Sequence, residues 1–138
     1  MGLIVVDAGV WIGVLDRNDA HHVAATDALR AAEENRDELA LPASALAEIQ
    51  VGPSRRGPDA VASVDGLLDS LAVDLVAIDS AIARVAAALR ATTTLRLPDA
   101  LVVATAIVIR ADRLLSTDAR WPSAVSDQFG GSLDIISR

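Results

Sequence analysis

The sequence contains no cysteine, and this absence limits both its covalent structure and its metal chemistry. Without thiols the chain cannot form disulfides or thiolate-bound metal sites. That composition suits a reducing compartment, and we expect a cytoplasmic protein. No secretory signal is expected either, because Asp7 interrupts the first apolar stretch and no basic segment precedes it. The longest apolar run, residues 100–109, is shorter than the roughly 20 residues that cross a bilayer, so no membrane association is expected.

Lysine is absent as well, so all 12 cationic side chains are arginines. Mechanisms that need a lysine are excluded, including those of phospho-accepting receiver domains and haloacid-dehalogenase-type phosphatases. The chain has no Gly-rich phosphate loop, which excludes the common nucleotide-cofactor sites. The net charge of −7 argues against a protein that coats nucleic acid, but it does not exclude a nuclease with an acidic metal site. With only two tryptophans and one phenylalanine, platforms for base stacking are not expected.

Short apolar runs alternate with helical segments, which indicates one α/β domain over residues 1–138. Strands separated by helices predict a mainly parallel sheet of four to five strands covered on both faces. Residues 98–111 contain β-branched runs that also suit a strand, but their length and the Pro98-Asp99 start favour a helix. The predicted strands are 3–6, 38–41, 73–78, 113–116 and 133–136, and the predicted helices are 8–15, 20–35, 42–51, 59–71, 79–91 and 98–111, with a loop at 52–58 and a short helical turn at 119–121.

Four acidic residues lie in unusually apolar surroundings. Asp7 and Asp118 each end an apolar strand, and the carboxyl ends of parallel strands meet at one edge of a sheet. Asp99 lies in the first turn of a predicted helix, and Glu48 lies at the margin of another helix's apolar face. Helices that are entered from strand ends begin at the same edge, so all four carboxylates can converge there.

Each acid also has a simpler explanation. Asp7 can cap the helix that follows it, and Asp99 is ordinary in a first helical turn. Glu48 can be a solvated side chain and Asp118 a turn residue. Four converging carboxylates, however, cannot all stay ionised without a positive counter-charge. A hard divalent cation supplies that charge, and oxygen ligands without thiolates select Mg²⁺ or Mn²⁺, which points to phosphodiester chemistry with a metal-activated water.

Four segments of the chain carry a specific resemblance to a known family: Ile4–Ala8, Ala47–Glu48, Leu97–Ala106 and Leu114–Asp118. At these residues the chain resembles the PIN-domain ribonucleases, and most closely the VapC-type toxins of bacterial toxin–antitoxin pairs. The resemblance extends over essentially the full length, with the family's order and spacing. It implies an α/β/α sandwich, endoribonuclease activity that depends on Mg²⁺ or Mn²⁺, a small antitoxin partner and a homodimer.

The resemblance also assigns roles to individual residues. Thr117 matches a hydroxyl that the family often has beside its last acid, where it would orient a carboxylate or a water. Gly9 departs from the family, which usually has Ser or Asn there, and this removes a side-chain hydrogen bond that would brace the site. The acidic quartet that would hold the metal and catalyse cleavage is Asp7, Glu48, Asp99 and Asp118.

Three arginines are candidates for RNA contact. Arg55 and Arg56 are either phosphate contacts near Glu48 or an ordinary polar loop, and Arg96 is expected to touch either RNA or a partner. The alternative to an enzyme is a degenerate PIN module that acts through protein–protein binding. The intact acidic quartet argues against that alternative.

Overall fold

The computed structural model describes residues 1–121 and 123–138, and its centre is a five-stranded sheet. The strands are β1 (Leu3–Val6), β2 (Glu38–Pro42), β3 (Asp74–Val76), β4 (Arg113–Ser116) and β5 (Ser132–Ile135). Their order across the sheet is β3-β2-β1-β4-β5, and every pairing is parallel. The predicted α/β class and parallel sheet are therefore confirmed.

Helices connect the successive strands, because parallel neighbours need a crossover between them. Helix α7 packs against β1, β2 and β4, while α1 packs against β4. None of the helices within the described residues is long and apolar enough to cross a membrane. The helices are α1 (Ala8–Leu15), α2 (His22–Glu34), α3 (Ala43–Ile49), α4 (Val51–Arg56), α5 (Pro58–Ser70), α6 (Ser80–Thr92), α7 (Leu97–Val108) and α8 (Ala124–Gln128).

Strand β1 occupies the middle of the sheet because its residues are uniformly apolar. Residues 4–6 are completely buried, as expected for a strand that is covered on both faces. Val6 pairs with Leu115 of β4. In this register the residue that follows Val6 and the residue that follows Leu115 lie side by side at the carboxyl edge of the sheet. These residues are Asp7 and Ser116.

The ambiguous segment after Pro98 is a helix, as predicted. Pro98 lies in the first turn of α7, where its missing N–H leaves no intrahelical bond unmade. Val102 and Val103 are at most 2% exposed, and the hydroxyl of Thr105 donates to the carbonyl of Leu101 at 2.8 Å. Burial of the β-branched side chains outweighs their low helix propensity.

Two local predictions were wrong. The stretch 52–58 is not a loop, since α4 extends to Arg56 and ends at Gly57, whose φ is +127°. Pro53 lies in the first turn of α4, where proline is tolerated, and the cations of the last turn favour a helix C-terminus. Residues 119–121 form no helix, because the N–H of Arg120 donates to the Asp118 carboxylate at 2.9 Å and closes a side-chain turn instead.

Candidate functional site

Asp7 is 8% exposed and lies where β1 ends and α1 begins. Its Oδ1 accepts a hydrogen bond from the N–H of Ala8 at 2.8 Å, and its Oδ2 accepts one from the hydroxyl of Ser116 at 3.0 Å. The hydroxyl of Ser116, itself fully buried, accepts a further bond from the N–H of Asp118 at 3.1 Å. Asp7 is therefore a helix cap, but it is also held against the end of β4.

The carboxylate of Asp7 is energetically unfavourable in this position. Burial raises its pKa from the ordinary 3.8 to about 6, although its two hydrogen bonds lower it. The negative charges of Asp99 and Glu48 make smaller contributions to the same rise. Capping alone does not explain a carboxylate that its neighbours and its surroundings both disfavour in the charged form.

Glu48 and Asp99 approach this carboxylate from two helices. Glu48 is exposed at the margin of α3, whose Ala45 and Ile49 are buried. Burial and the charge of Asp99 raise the pKa of Glu48. Asp99 is half-buried in the first turn of α7, and burial followed by repulsion from Asp118 raises its pKa. The helix N-terminus alone would favour the ionised form of Asp99, so burial outweighs the helix dipole here.

Asp118 behaves differently from the other three acids. Burial tends to raise its pKa, but hydrogen bonds and charge from Arg120, with the charge of Arg96, outweigh burial and lower it. Both the backbone N–H and the Nε–H of Arg120 donate to Asp118 Oδ1, at 2.9 and 3.2 Å. Asp118 therefore stays ionised next to a cation of its own.

The four predicted acids suit a hard divalent cation in their chemistry. All their donor atoms are carboxylate oxygens, which is the ligand type that Mg²⁺ and Mn²⁺ prefer. Burial is the main reason that the pKa values of Asp7, Glu48 and Asp99 are raised, and repulsion from neighbouring acids adds to it in each case. As the side chains stand, however, no three acidic or histidine residues within 1–121 and 123–138 lie close enough to hold one ion. Side chains would have to rotate to bind it.

The hydroxyl of Thr117 fills the space that a side chain at position 9 would need. A Cβ built on Gly9 would overlap with Thr117 Oγ1. Gly9 therefore leaves no empty space at the start of α1. The position that a Ser or Asn side chain would occupy there is taken by the hydroxyl of Thr117, which follows β4. The catalytic role predicted for Thr117 remains a prediction.

Two of the predicted RNA-contact arginines lie beside different acids, Arg56 beside Glu48 and Arg96 beside Asp99 and Asp118. Arg96 precedes α7, and its positive charge lowers the pKa of Glu48 and of Asp99. Arg55 and Arg56 end α4, and Arg56 lines a groove of about 700 Å³ together with Glu48. That groove is bounded by α1, α3, α4 and α5, and two apolar side chains of α1 that line it, Ile12 and Leu15, are 38% and 39% exposed.

Ser116 and Arg120 are two site residues that the sequence analysis missed. Ser116 could have been noticed as a hydroxyl at the last position of an otherwise apolar strand, directly opposite Asp7 in the parallel register. For Arg120 the sequence gives only one signal. It lies two residues after Asp118, a spacing at which an aspartate side chain can accept a hydrogen bond from the backbone N–H.

The family model for the PIN domain matches residues 4–125 of the chain. No curated protein sequence matches it. The chain is similar in structure to VapBC2 from Rickettsia felis, which was solved bound to a DNA fragment from its promoter. The TM-score is 0.73 and the sequence identity 14%, over 96% of this chain and 98% of that one.

Two further solved structures are similar. A toxin–antitoxin complex from Klebsiella pneumoniae has a TM-score of 0.73 and 22% identity, over 95% of this chain and 96% of that one. VapC20 from Mycobacterium tuberculosis, a sarcin–ricin loop cleaving toxin, has a TM-score of 0.69 and 17% identity, over 88% of this chain and 94% of that one. At these identities the similarity establishes a shared fold.

Proposed function

The chain belongs to the PIN-domain family, and we propose that it is a metal-dependent endoribonuclease that serves as the toxin of a toxin–antitoxin pair. The observation that carries the proposal is the buried Asp7, whose pKa is raised to about 6 by burial and then by the charges of Asp99 and Glu48. A carboxylate buried at such a cost is typical of functional sites. The sequence resemblance to PIN-domain proteins is confirmed by the family match.

The residues that would hold Mg²⁺ or Mn²⁺ are the predicted quartet, Asp7, Glu48, Asp99 and Asp118. When bound, such an ion polarises a phosphate oxygen and lowers the pKa of an attacking water. The protein's own contribution is placement. Ser116 fixes the orientation of Asp7 through its hydroxyl, and the burial of Asp7 keeps bulk water from screening its charge.

A protein partner fits the groove beside Glu48. The exposed Ile12 and Leu15 supply an apolar wall, and Glu48 supplies an acidic group at the same groove. We propose that an antitoxin helix lays its apolar face there and brings a cation to Glu48, which would cover the site. The similarity to VapBC2 and to the Klebsiella pneumoniae toxin–antitoxin complex supports an antitoxin partner, and the groove itself supports its position. Homodimerisation is proposed from the family resemblance.

The test of the nuclease is cleavage of total RNA by purified protein. We expect the wild-type chain to cut RNA with Mg²⁺ or Mn²⁺ and to be inactive in EDTA, and Asp7→Asn to be inactive under all conditions. Asp69→Asn, at an exposed position on α5, is the matched control and should cut like wild type. Sequencing of RNA 5′ ends after a pulse of expression would identify the target. Equal RNA profiles for wild type and Asp7→Asn would refute the proposal.

The degenerate-module alternative makes a different prediction. If the chain acts only through protein binding, calorimetry should detect no Mg²⁺ or Mn²⁺ binding at millimolar concentrations. Binding of either ion that is lost in Asp7→Asn would instead support the enzyme.

A further inference from the structure

Two cavities meet at Asp118 and Arg120, and neither shares a lining residue with the groove of Ile12, Leu15 and Glu48, which we call the apolar groove. One, of about 290 Å³, is lined by Arg96, Asp99 and Trp121. The other, of about 580 Å³, is lined by His21 and Arg138. Asp118 and Arg120 line both cavities, so this ion pair forms the boundary between them. A chain-like ligand that occupied both cavities would have to cross Asp118.

Three arginines and the two aspartates Asp99 and Asp118 line these two cavities, although the protein as a whole carries −7. Arg96, Arg120 and Arg138 line them, whereas the apolar groove is lined by one arginine, Arg56. Arg96 and Arg120 offset part of the negative charge of Asp99 and Asp118. Their remaining donors suit a negatively charged ligand beside the acids.

Arg120 has the donor capacity for such a ligand. Its side chain is 84% exposed, and its Nε–H is the group that pairs with Asp118. A guanidinium carries five N–H donors, so its two terminal nitrogens can bind a phosphate while Nε–H holds the carboxylate. Arg96 is also exposed, and its charge reaches Glu48, Asp99 and Asp118. The two arginines therefore flank Asp99 and Asp118.

We propose that Arg96 and Arg120 bind backbone phosphates of the RNA substrate, so that the strand runs through the two cavities across Asp118. The inference rests on the proposed ribonuclease function and adds the path of the substrate. It leaves the apolar groove to the protein partner. Arg96 and Arg120 are positioning residues here, since they hold phosphates and take no part in breaking the bond.

The experiment measures binding of a fluorescein-labelled 12-nucleotide single-stranded RNA by anisotropy, in EDTA so that no cleavage occurs. Each phosphate contact by a cation contributes a slope of about 0.7 to the dependence of log K on log salt for single strands. We expect Arg96→Ala and Arg120→Ala each to reduce the slope by about 0.7 and the double variant by about twice that. Arg120→Lys should retain the slope, because it keeps the charge.

Arg30→Ala is the matched control, since Arg30 forms an exposed ion pair with Asp27 on α2, at 3.7 Å. Its slope should equal that of wild type. Unchanged slopes for Arg96→Ala and Arg120→Ala would overturn the inference, as would a loss confined to Arg55→Ala and Arg56→Ala, which would place the strand at the groove. Tighter binding of a hexaglutamate peptide than of RNA, with the same arginine dependence, would assign the cavities to a protein and also overturn it.

Cleavage assays separate this inference from the proposed function. If wild type cuts RNA while the salt slopes do not depend on Arg96 and Arg120, the substrate path is wrong and the nuclease stands. If the slopes depend on both arginines but no metal supports cleavage, the chain binds RNA along this path without cutting it, and the nuclease is wrong. In the active protein, Arg120→Ala should raise KM more than it lowers kcat.

Discussion

Replacing Asp7 by asparagine should stabilise the metal-free protein at neutral pH. The pKa of Asp7 is raised from 3.8 to about 6, so ionising it in the folded state costs roughly 3 kcal/mol above pH 7. An asparagine avoids that cost and keeps an acceptor for the N–H of Ala8. The amide nitrogen takes the place of Oδ2, so the Ser116 hydroxyl must change from donor to acceptor, which costs about 1 kcal/mol. The expected net gain is therefore about 2 kcal/mol.

The pH dependence of this gain follows from the sign of the shift. Because the folded-state pKa of Asp7 is above its unfolded value, the wild type has its full stability below about pH 4 and loses it as the pH rises through about 6. Asp7→Asn is free of that loss. The variant should thus be clearly more stable than wild type at pH 7.5, less so at pH 5, and equal or less stable near pH 4.

Urea unfolding in EDTA, followed by circular dichroism at these three pH values, measures the difference directly. A gain of about 2 kcal/mol corresponds to a rise in Tm of roughly 8 °C for a domain of this size. Asp69→Asn, which removes an exposed carboxylate, should change stability by less than about 0.5 kcal/mol at every pH. If Asp7→Asn gives no gain in stability at pH 7.5, or a gain that does not vary with pH, ionised Asp7 does not destabilise the folded state.

Three further predictions concern neighbouring parts of the site. Ser116→Ala removes a fully buried hydroxyl bonded to Asp7 and should cost about 1–3 kcal/mol in urea unfolding; a neutral result would mean that this hydrogen bond contributes nothing. Gly9→Ser should destabilise the protein through overlap with Thr117 Oγ1, and adding Thr117→Ala should recover about 1 kcal/mol in a double-mutant cycle; additive effects would contradict the overlap. Ile12→Glu should keep the fold and RNA cleavage but abolish co-purification with a co-expressed antitoxin; retained co-purification would place the partner elsewhere.

Most of the fold was predictable because its strongest local patterns agree with its packing. The continuous apolar run of β1 can be satisfied only by burial on both faces, which requires a central strand. The helix α7 was predictable despite its β-branched residues, since Pro98 marks its start. The segment 51–56 was not, because its Gly and Pro content favours a loop and the packing of α4 beside α3 and α5 cannot be read from the sequence.

The positions of the acids were predictable, but their electrostatics were not. A sequence indicates that Asp7 ends a buried strand, and parallel topology places Asp118 at the same edge. It does not reveal that Arg120 lowers the pKa of Asp118 while Asp7 is left with a raised pKa, because those shifts depend on distances between separate elements.

The sequence by itself determined the fold class and the family, since both depend on the local order of apolar and acidic residues, and it predicted the four acids of the candidate site. Only the tertiary structure decided which hydroxyl braces Asp7. Ser116 and Thr117 are adjacent, and neighbouring side chains at a strand end point to opposite sides. The register that pairs Val6 with Leu115 places Ser116 against Asp7 and leaves Thr117 to fill the space beside Gly9. Such a choice depends on how two distant strands align, and no local pattern in either strand contains it.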